Sequence, residues 1–175
     1  MSAQLISTPV TPDYTDDSRW ERVDGQWVER PVPTTKHSRV QGQTFLLLTK
    51  ATAGSDAVVG PEWSIDQPEF AHRDDPNYMT ADILVAYPPL INAKSGHLAQ
   101  PGFLAVEIVS PKQRDLFAKA ERYGAWGTPH VWIIDPETRD CFEYHGGRQF
   151  TVERETLHAG PISVSVADIF AGIEL

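Results

Sequence analysis

Two acidic residues in this chain stand where acids are expensive. Glu107 follows the apolar run Phe103, Leu104, Ala105, Val106 and precedes Ile108, and Asp82 heads the run Ile83, Leu84, Val85, Ala86. Both runs are short, rich in branched residues and bounded by Pro or Gly, the pattern of strands buried on both faces. A carboxylate in such a strand is costly unless it is paired or binds a metal. If the two strands pair, the carboxylates converge at one sheet edge, where their repulsion is relieved by a divalent cation. Oxygen-only ligands suit Mg2+ or Mn2+ rather than zinc. Val109 points to the same side as Glu107, leaving the carbonyl of Ile108 available as a third hard ligand. A cation held this way lowers the pKa of a bound water and stabilises charge on a phosphate in transfer. A nearby lysine would orient that water. The candidate is Lys119, which lies on the helix leaving the second strand, on the same face as Asp115.

The elements that must position these groups run from Thr80 to Pro136 in the order strand, strand, helix, strand. The helix begins near Pro111, reaches about Trp126 and is closed by Gly124 or Gly127; His130 to Asp135 is a buried strand. Upstream, Trp20 to Arg30 reads as a hairpin about Asp24-Gly25. A helix from about His37 to Thr52 follows, with Thr34, Thr35 and Ser38 as candidate caps and Val40, Phe45, Leu47, Leu48 and Ala51 as its buried face. Ala57 to Ile65 reads as a strand with a bulge or edge feature at Gly60-Pro61. Gln67 to Asn77 and Pro88 to Gly102 are loops. Downstream, Cys141 to Tyr144 and Gln149 to Arg154 flank a second hairpin turn, and the stretch from Ile162 to Phe170 reads as a strand followed by a helical turn.

The chain of 175 residues is long enough for one domain with a sizeable core. Residues 1–18 are polar and aperiodic, the pattern of a flexible tail before a domain over residues 19–175. The N-terminus lacks the pattern of a signal peptide, and no apolar run is long enough for a membrane span. The single Cys141 excludes an internal disulfide and a cysteine-based zinc site, and a reducing cytoplasm is the simplest home. A net charge of −9 speaks against coating nucleic acid by bulk electrostatics, though not against a local basic groove. Lys112, Arg114, Lys119 and Arg122 form the densest basic cluster.

The segments VDGQWVERPVPTTKHSRV, ADILV and VEIVSPKQRDLFAKAERYGAWGTPHVWIIDPE carry a resemblance. The chain is similar, from about Trp20 to its C-terminus, to the Uma-two (Uma2) family of bacterial restriction endonucleases, a branch of the PD-(D/E)xK nuclease superfamily. The last segment is the most specific. The resemblance implies an α/β, restriction-endonuclease-like domain with a central mixed sheet flanked by helices. It implies that Asp82 and Glu107 are the metal carboxylates and that Lys119 is the motif lysine, moved from its usual strand position, which Val109 holds here, to the helix. Glu29 and His37 match family positions near the site. The proline expected before the first acid is Ala81 in this chain.

Each residue also has a plainer reading. Asp82 can be a strand-start residue, Glu107 a buried ion-pair partner of Lys119 or Arg122, and Lys119 with Asp115 a solvated helix pair. His37 can cap or pack at its helix start, Glu29 can be hairpin surface, His97 a solvated loop histidine, and Tyr123, Trp126, Trp132 and Cys141 core. The co-occurrence of two strand acids, the element order and a lysine one helix later favours a Mg2+- or Mn2+-dependent endonuclease acting on DNA. The rivals are a nuclease-fold module without turnover that binds nucleic acid, and a regulatory partner protein. A homodimer would match a two-fold DNA site, with the tail and the Trp20 hairpin as candidate surfaces.

Overall fold

The computed structural model describes residues 20–70, 76–111, 116–145 and 149–173. The expected tail, the basic residues Lys112 and Arg114, Asp115 and the turn Gly146-Gly147-Arg148 lie outside them. The elements are β1 (Trp20–Val23), β2 (Gln26–Glu29), α1 (Thr35–Ala51), β3 (Val58–Asp66), β4 (Tyr78–Ala86), β5 (Leu104–Ile108), α2 (Leu116–Ala125), β6 (His130–Ile134), β7 (Cys141–Tyr144), β8 (Phe150–Glu153), β9 (Thr156–Ala159), β10 (Ile162–Ser165) and α3 (Val166–Ile169). No described helix is long and apolar enough to cross a membrane.

Local chemistry accounts for most of these boundaries. Asp24 and Gly25 both take positive φ, 51° and 75°, as a two-residue hairpin turn between β1 and β2 requires. Thr34 caps α1, its side chain accepting from the backbone N–H of His37 at 3.2 Å, so the helix starts two residues before the expected His37. The buried stripe of α1 also differs from expectation. It is His37, Val40, Thr44 and Leu48, with Phe45 and Leu47 only partly buried and Ala51 exposed. The spacing is helical, but two of its members are polar and escape an apolar pattern search. Gly127, at φ 102°, ends the turn after α2. Gly124 instead lies within the helix, and a Cβ there would meet the Tyr144 ring at 2.5 Å.

The main sheet is mixed: β5 and β6 run parallel, and the other described strand pairs in it are antiparallel. Ile83, Val106, Trp132, Ile134 and Cys141 face α1 and α3, while Leu84, Ala105, Val131 and Ile133 face α2. Burial pushes the Cys141 thiol up to about 12, so it serves as a core residue. The strand β9 was not expected; it pairs with β10 in a separate ribbon and buries Leu157 and Ile162 over the α1 face.

One feature of the topology positions the site. The strand β3 covers one edge of β4 from Val58↔Ala86 to Asp66↔Tyr78. The other edge is divided between β1, at Arg22↔Tyr78, and β5, at Ile83 to Val85. Between them the β4 edge from Met79 to Ala81 pairs with no described strand, and the sheet forks.

Core packing next to the fork is tight. A Cβ built on Gly102 would lie 2.4 Å from Leu84 Cδ1 and 2.9 Å from its Cγ, and Leu84 is fully buried two residues from Asp82. Gly102→Ala should therefore destabilise by about 1–3 kcal/mol through overpacking, a fall of several degrees in the midpoint of a thermal melt. An unchanged melt would show that Leu84 has room to move.

Candidate active site

Side chains fill the fork in place of a strand. The Thr80 N–H donates to Glu21 Oε1 at 2.9 Å, and the Thr80 carbonyl accepts from Lys119 Nζ at 2.9 Å. Glu21 comes from β1 and Lys119 from α2. Glu21 is buried and the Lys119 side chain is only 12% exposed, because the backbone groups they satisfy are themselves buried and need partners. One residue further along β4, the register that pairs Ile83 with Val106 sets Asp82 opposite Glu107. Asp82 Oδ2 accepts from the Ile108 N–H at 2.7 Å. An extended residue turns its N–H and C=O to the same edge, so the Ile108 carbonyl faces this gap too.

A dense charge network follows. Lys119 Nζ lies 2.7 Å from Glu21 Oε1 and 2.9 Å and 3.0 Å from Glu107 Oε1 and Oε2. The Tyr123 hydroxyl, one helical turn beyond Lys119, donates to Glu107 Oε1 at 2.9 Å. On the Asp82 side, Arg30 Nη2 reaches Asp82 Oδ1 at 3.2 Å, and Arg30 Nη1 reaches Glu62 Oε2 at 2.6 Å. Gln41 Nε2 donates to Glu62 Oε1 at 2.6 Å and to the Asp82 carbonyl at 2.8 Å. His37 Nδ1 pairs with Ser110 Oγ at 2.8 Å, and its Nε2 stands 3.6 Å from Asp82 Oδ1. Glu21, Arg30, His37, Glu62, Asp82, Glu107 and Lys119 line a cleft of about 1390 Å³ between the β1–β2 hairpin, the fork and the start of α2.

The electrostatics are unequal for the two acids. Burial works against the charge of Asp82, but His37, Lys119 and the Ile108 N–H together hold it below the usual carboxylate range. Burial raises Glu107, Lys119 opposes the rise, and Asp82 and Glu21 reinforce it; the net is a carboxyl pushed up from 4.5 to about 8. Burial also opposes the Lys119 charge, yet Glu107, Glu21 and Asp82 outweigh it and raise its pKa. Four carboxylates, Glu21, Glu62, Asp82 and Glu107, thus crowd two permanent cations, Arg30 and Lys119. The excess of negative charge and the oxygen-only donor set are what a hard divalent cation fits.

The structure brings Asp82, Glu107, Ile108, Lys119 and His37 together. The anticipated Glu107–Lys119 ion pair is present, but within a wider set that includes Glu21, Tyr123 and Asp82. His37 is a helix-start residue whose side chain nevertheless turns into the cleft. Glu29 lies exposed on the rim. Lys119 is no surface charge, which removes it from the expected basic groove, and Arg122 faces Asp24 at 3.5 Å. The solvated reading of His97 is corrected: its Nδ1 pairs with the fully buried Asp66 at 2.7 Å and its ring packs on Tyr78. Sequence reasoning missed Glu21, Arg30, Gln41 and Glu62. Only Glu21 left a signal, sharing its strand face with Val23 in the pattern of β1. A separate group, Glu143, His145 and Glu153, has potential metal-ligating atoms within 4.8 Å of one another. Glu143 pairs with Trp132, which faces α1, so this group is on the other side of the sheet from Glu107 and Tyr123.

Comparison with known proteins bears on the family and the fold. The sequence model of the Uma2 family, described as "Putative restriction endonuclease", matches residues 10–175. The crystal structure of a "putative nuclease belonging to DUF820" from Anabaena variabilis ATCC 29413 superposes with a TM-score of 0.69. It is 22% identical, over 87% of this chain and 89% of that one. No curated protein matches the chain.

The raised Glu107 pKa makes stability depend on pH. A carboxyl at about 8 in the fold and near 4.5 when unfolded favours the fold while it is protonated. That contribution is complete below pH 4.5 and is lost as pH rises through 8. Its size is on the order of a few kcal/mol. The metal-free protein should therefore melt at lower temperature at pH 8 than at pH 5, and Glu107→Gln should flatten that slope. An identical slope in the variant would place the titration elsewhere.

Proposed function

The chain belongs to the Uma2 family, and from that premise we propose that it is a Mg2+-dependent endonuclease hydrolysing phosphodiester bonds of DNA. The observation that carries this reading is the clasp of Lys119 between Glu107 and Glu21 beside Asp82, in one open cleft at the fork. Asp82, Glu107 and the Ile108 carbonyl would hold Mg2+ or Mn2+, which supplies an acidified water and a counter-charge for the phosphate. Lys119 positions the attacking water. Glu21 and Tyr123 fix the ammonium and the Glu107 carboxylate in place. His37, steadied by Ser110, orients Asp82, and Glu29 stands at the rim as an accessory. A cytoplasmic location and a homodimer cutting both strands belong to the same reading.

A second reading rests on a specific observation. Arg30 and Lys119 already pair Asp82 and Glu107, so each of these two acids has a counter-charge without a metal and the cleft could serve binding without turnover.

The two are separated by incubating the protein with linear and supercoiled DNA in Mg2+ and in a chelator. Cleavage should require the cation, and Glu107→Ala should reduce it by roughly 10²–10³ or more while circular dichroism stays native. Equal cleavage by Glu107→Ala would falsify the mechanism; salt-dependent binding with no cleavage by the parent would favour the second reading.

A further inference from the structure

We propose that Arg30 is the phosphate-binding residue of this cleft, an inference that rests on the nuclease reading and names the group that meets the nucleic-acid backbone. Arg30 follows β2 directly and precedes Pro31 and Pro33, whose fixed φ stiffens the segment. Its guanidinium is held in place by the two acids described above, Asp82 through Nη2 and Glu62 through Nη1, with Nε 3.9 Å from Glu21. The side chain is 14% exposed, and the residue lines the cleft. The guanidinium therefore shares an oxygen of the carboxylate assigned to the cation. An anion drawn to Asp82 and Glu107 by a bound cation arrives beside it. A planar fork of N–H donors matches two phosphate oxygens, which an ammonium does not.

Two of the acids that hold Arg30, Asp82 and Glu62, differ in how readily they yield. Asp82 is buried and tied to the Ile108 N–H, whereas the Glu62 side chain is 47% exposed and reaches Arg30 from a residue at φ +54°. A half-solvated ion pair is weak, because water competes for both charges. Glu62 serves as a resting partner that a phosphate replaces, while Asp82 keeps the guanidinium in register. The other described lysine and arginine of the cleft are less suited. Lys119 is enclosed by carboxylates, and Arg122 pairs on the rim with Asp24.

The test uses the full chain with a short fluorescein-labelled DNA duplex in Ca2+, read by anisotropy, and Mn2+ binding without DNA, read by calorimetry. Arg30→Met should weaken duplex binding about tenfold, the worth of one good charge-assisted contact, while Mn2+ binds as well or better, since Asp82 loses a competing cation. Arg30→Lys should restore only part of the loss, and Glu62→Gln should tighten duplex binding. Arg30→Met that binds the duplex like the parent overturns the proposal, as does a variant losing Mn2+ and DNA together with its cooperative melt. Absence of cleavage by the parent in Mg2+ sinks the nuclease reading alone, since the Arg30 result is read from binding.

Discussion

The site depends on a gap in a β-ladder. One edge of β4 is shared by two strands that do not meet, and the buried backbone of Thr80 must find partners other than a strand. Buried peptide groups left unpaired are costly. The fold meets this cost with a carboxylate from β1 and an ammonium from α2, and so two charged side chains are drawn into the core at one place. Once there, they demand counter-charges of their own, and Glu107 and Asp82 stand on the strands that flank the gap. The clustering of charge follows from the topology of the sheet.

Such a cluster is under electrostatic tension. Burial raises the energy of every charge in it, and the acids outnumber the permanent cations. Asp82 and Glu107 resolve this differently. Asp82 receives a backbone N–H and lies near His37 and Arg30, and it stays ionised; Glu107 is deeper, shares Lys119 with Glu21, and carries the rise. Two carboxyls on neighbouring strands are thus pushed in opposite directions by their surroundings, a pattern that marks a candidate functional site.

Much of this was legible in the chain. Asp82 and Glu107 stood out because acids in apolar strands break the expected pattern, and the strand order followed from short branched runs. The hairpin turn was readable at Asp24-Gly25, where both residues need positive φ. The missing members were hidden for physical reasons. Glu21 lies in a short, half-exposed hairpin strand, where a glutamate is ordinary. Arg30 and Glu62 meet only through tertiary contact, across thirty-two positions. The α1 stripe was misread because His37 and Thr44 occupy positions that a hydrophobic pattern assigns to apolar residues, and β9 escaped because a four-residue ribbon strand has too few alternations to register.

Lys119 ties the charge cluster to the helix. On the strand, the position two residues after Glu107 is Val109, which packs partly buried against the α2-facing core. A lysine there would give up that packing. The chain supplies the ammonium from above instead, from a helix docked through Leu116, Ala120 and Tyr123. Tyr123 belongs to both sets: its ring is fully buried in the interface, and its hydroxyl reaches Glu107. Docking of α2 and assembly of the site are therefore one event. A shift of the helix by a fraction of a turn would separate Lys119 from Glu21, Glu107 and the Thr80 carbonyl at once, stranding buried charges on both sides. That penalty holds the helix in register, so the charges that line the cleft also fix its geometry.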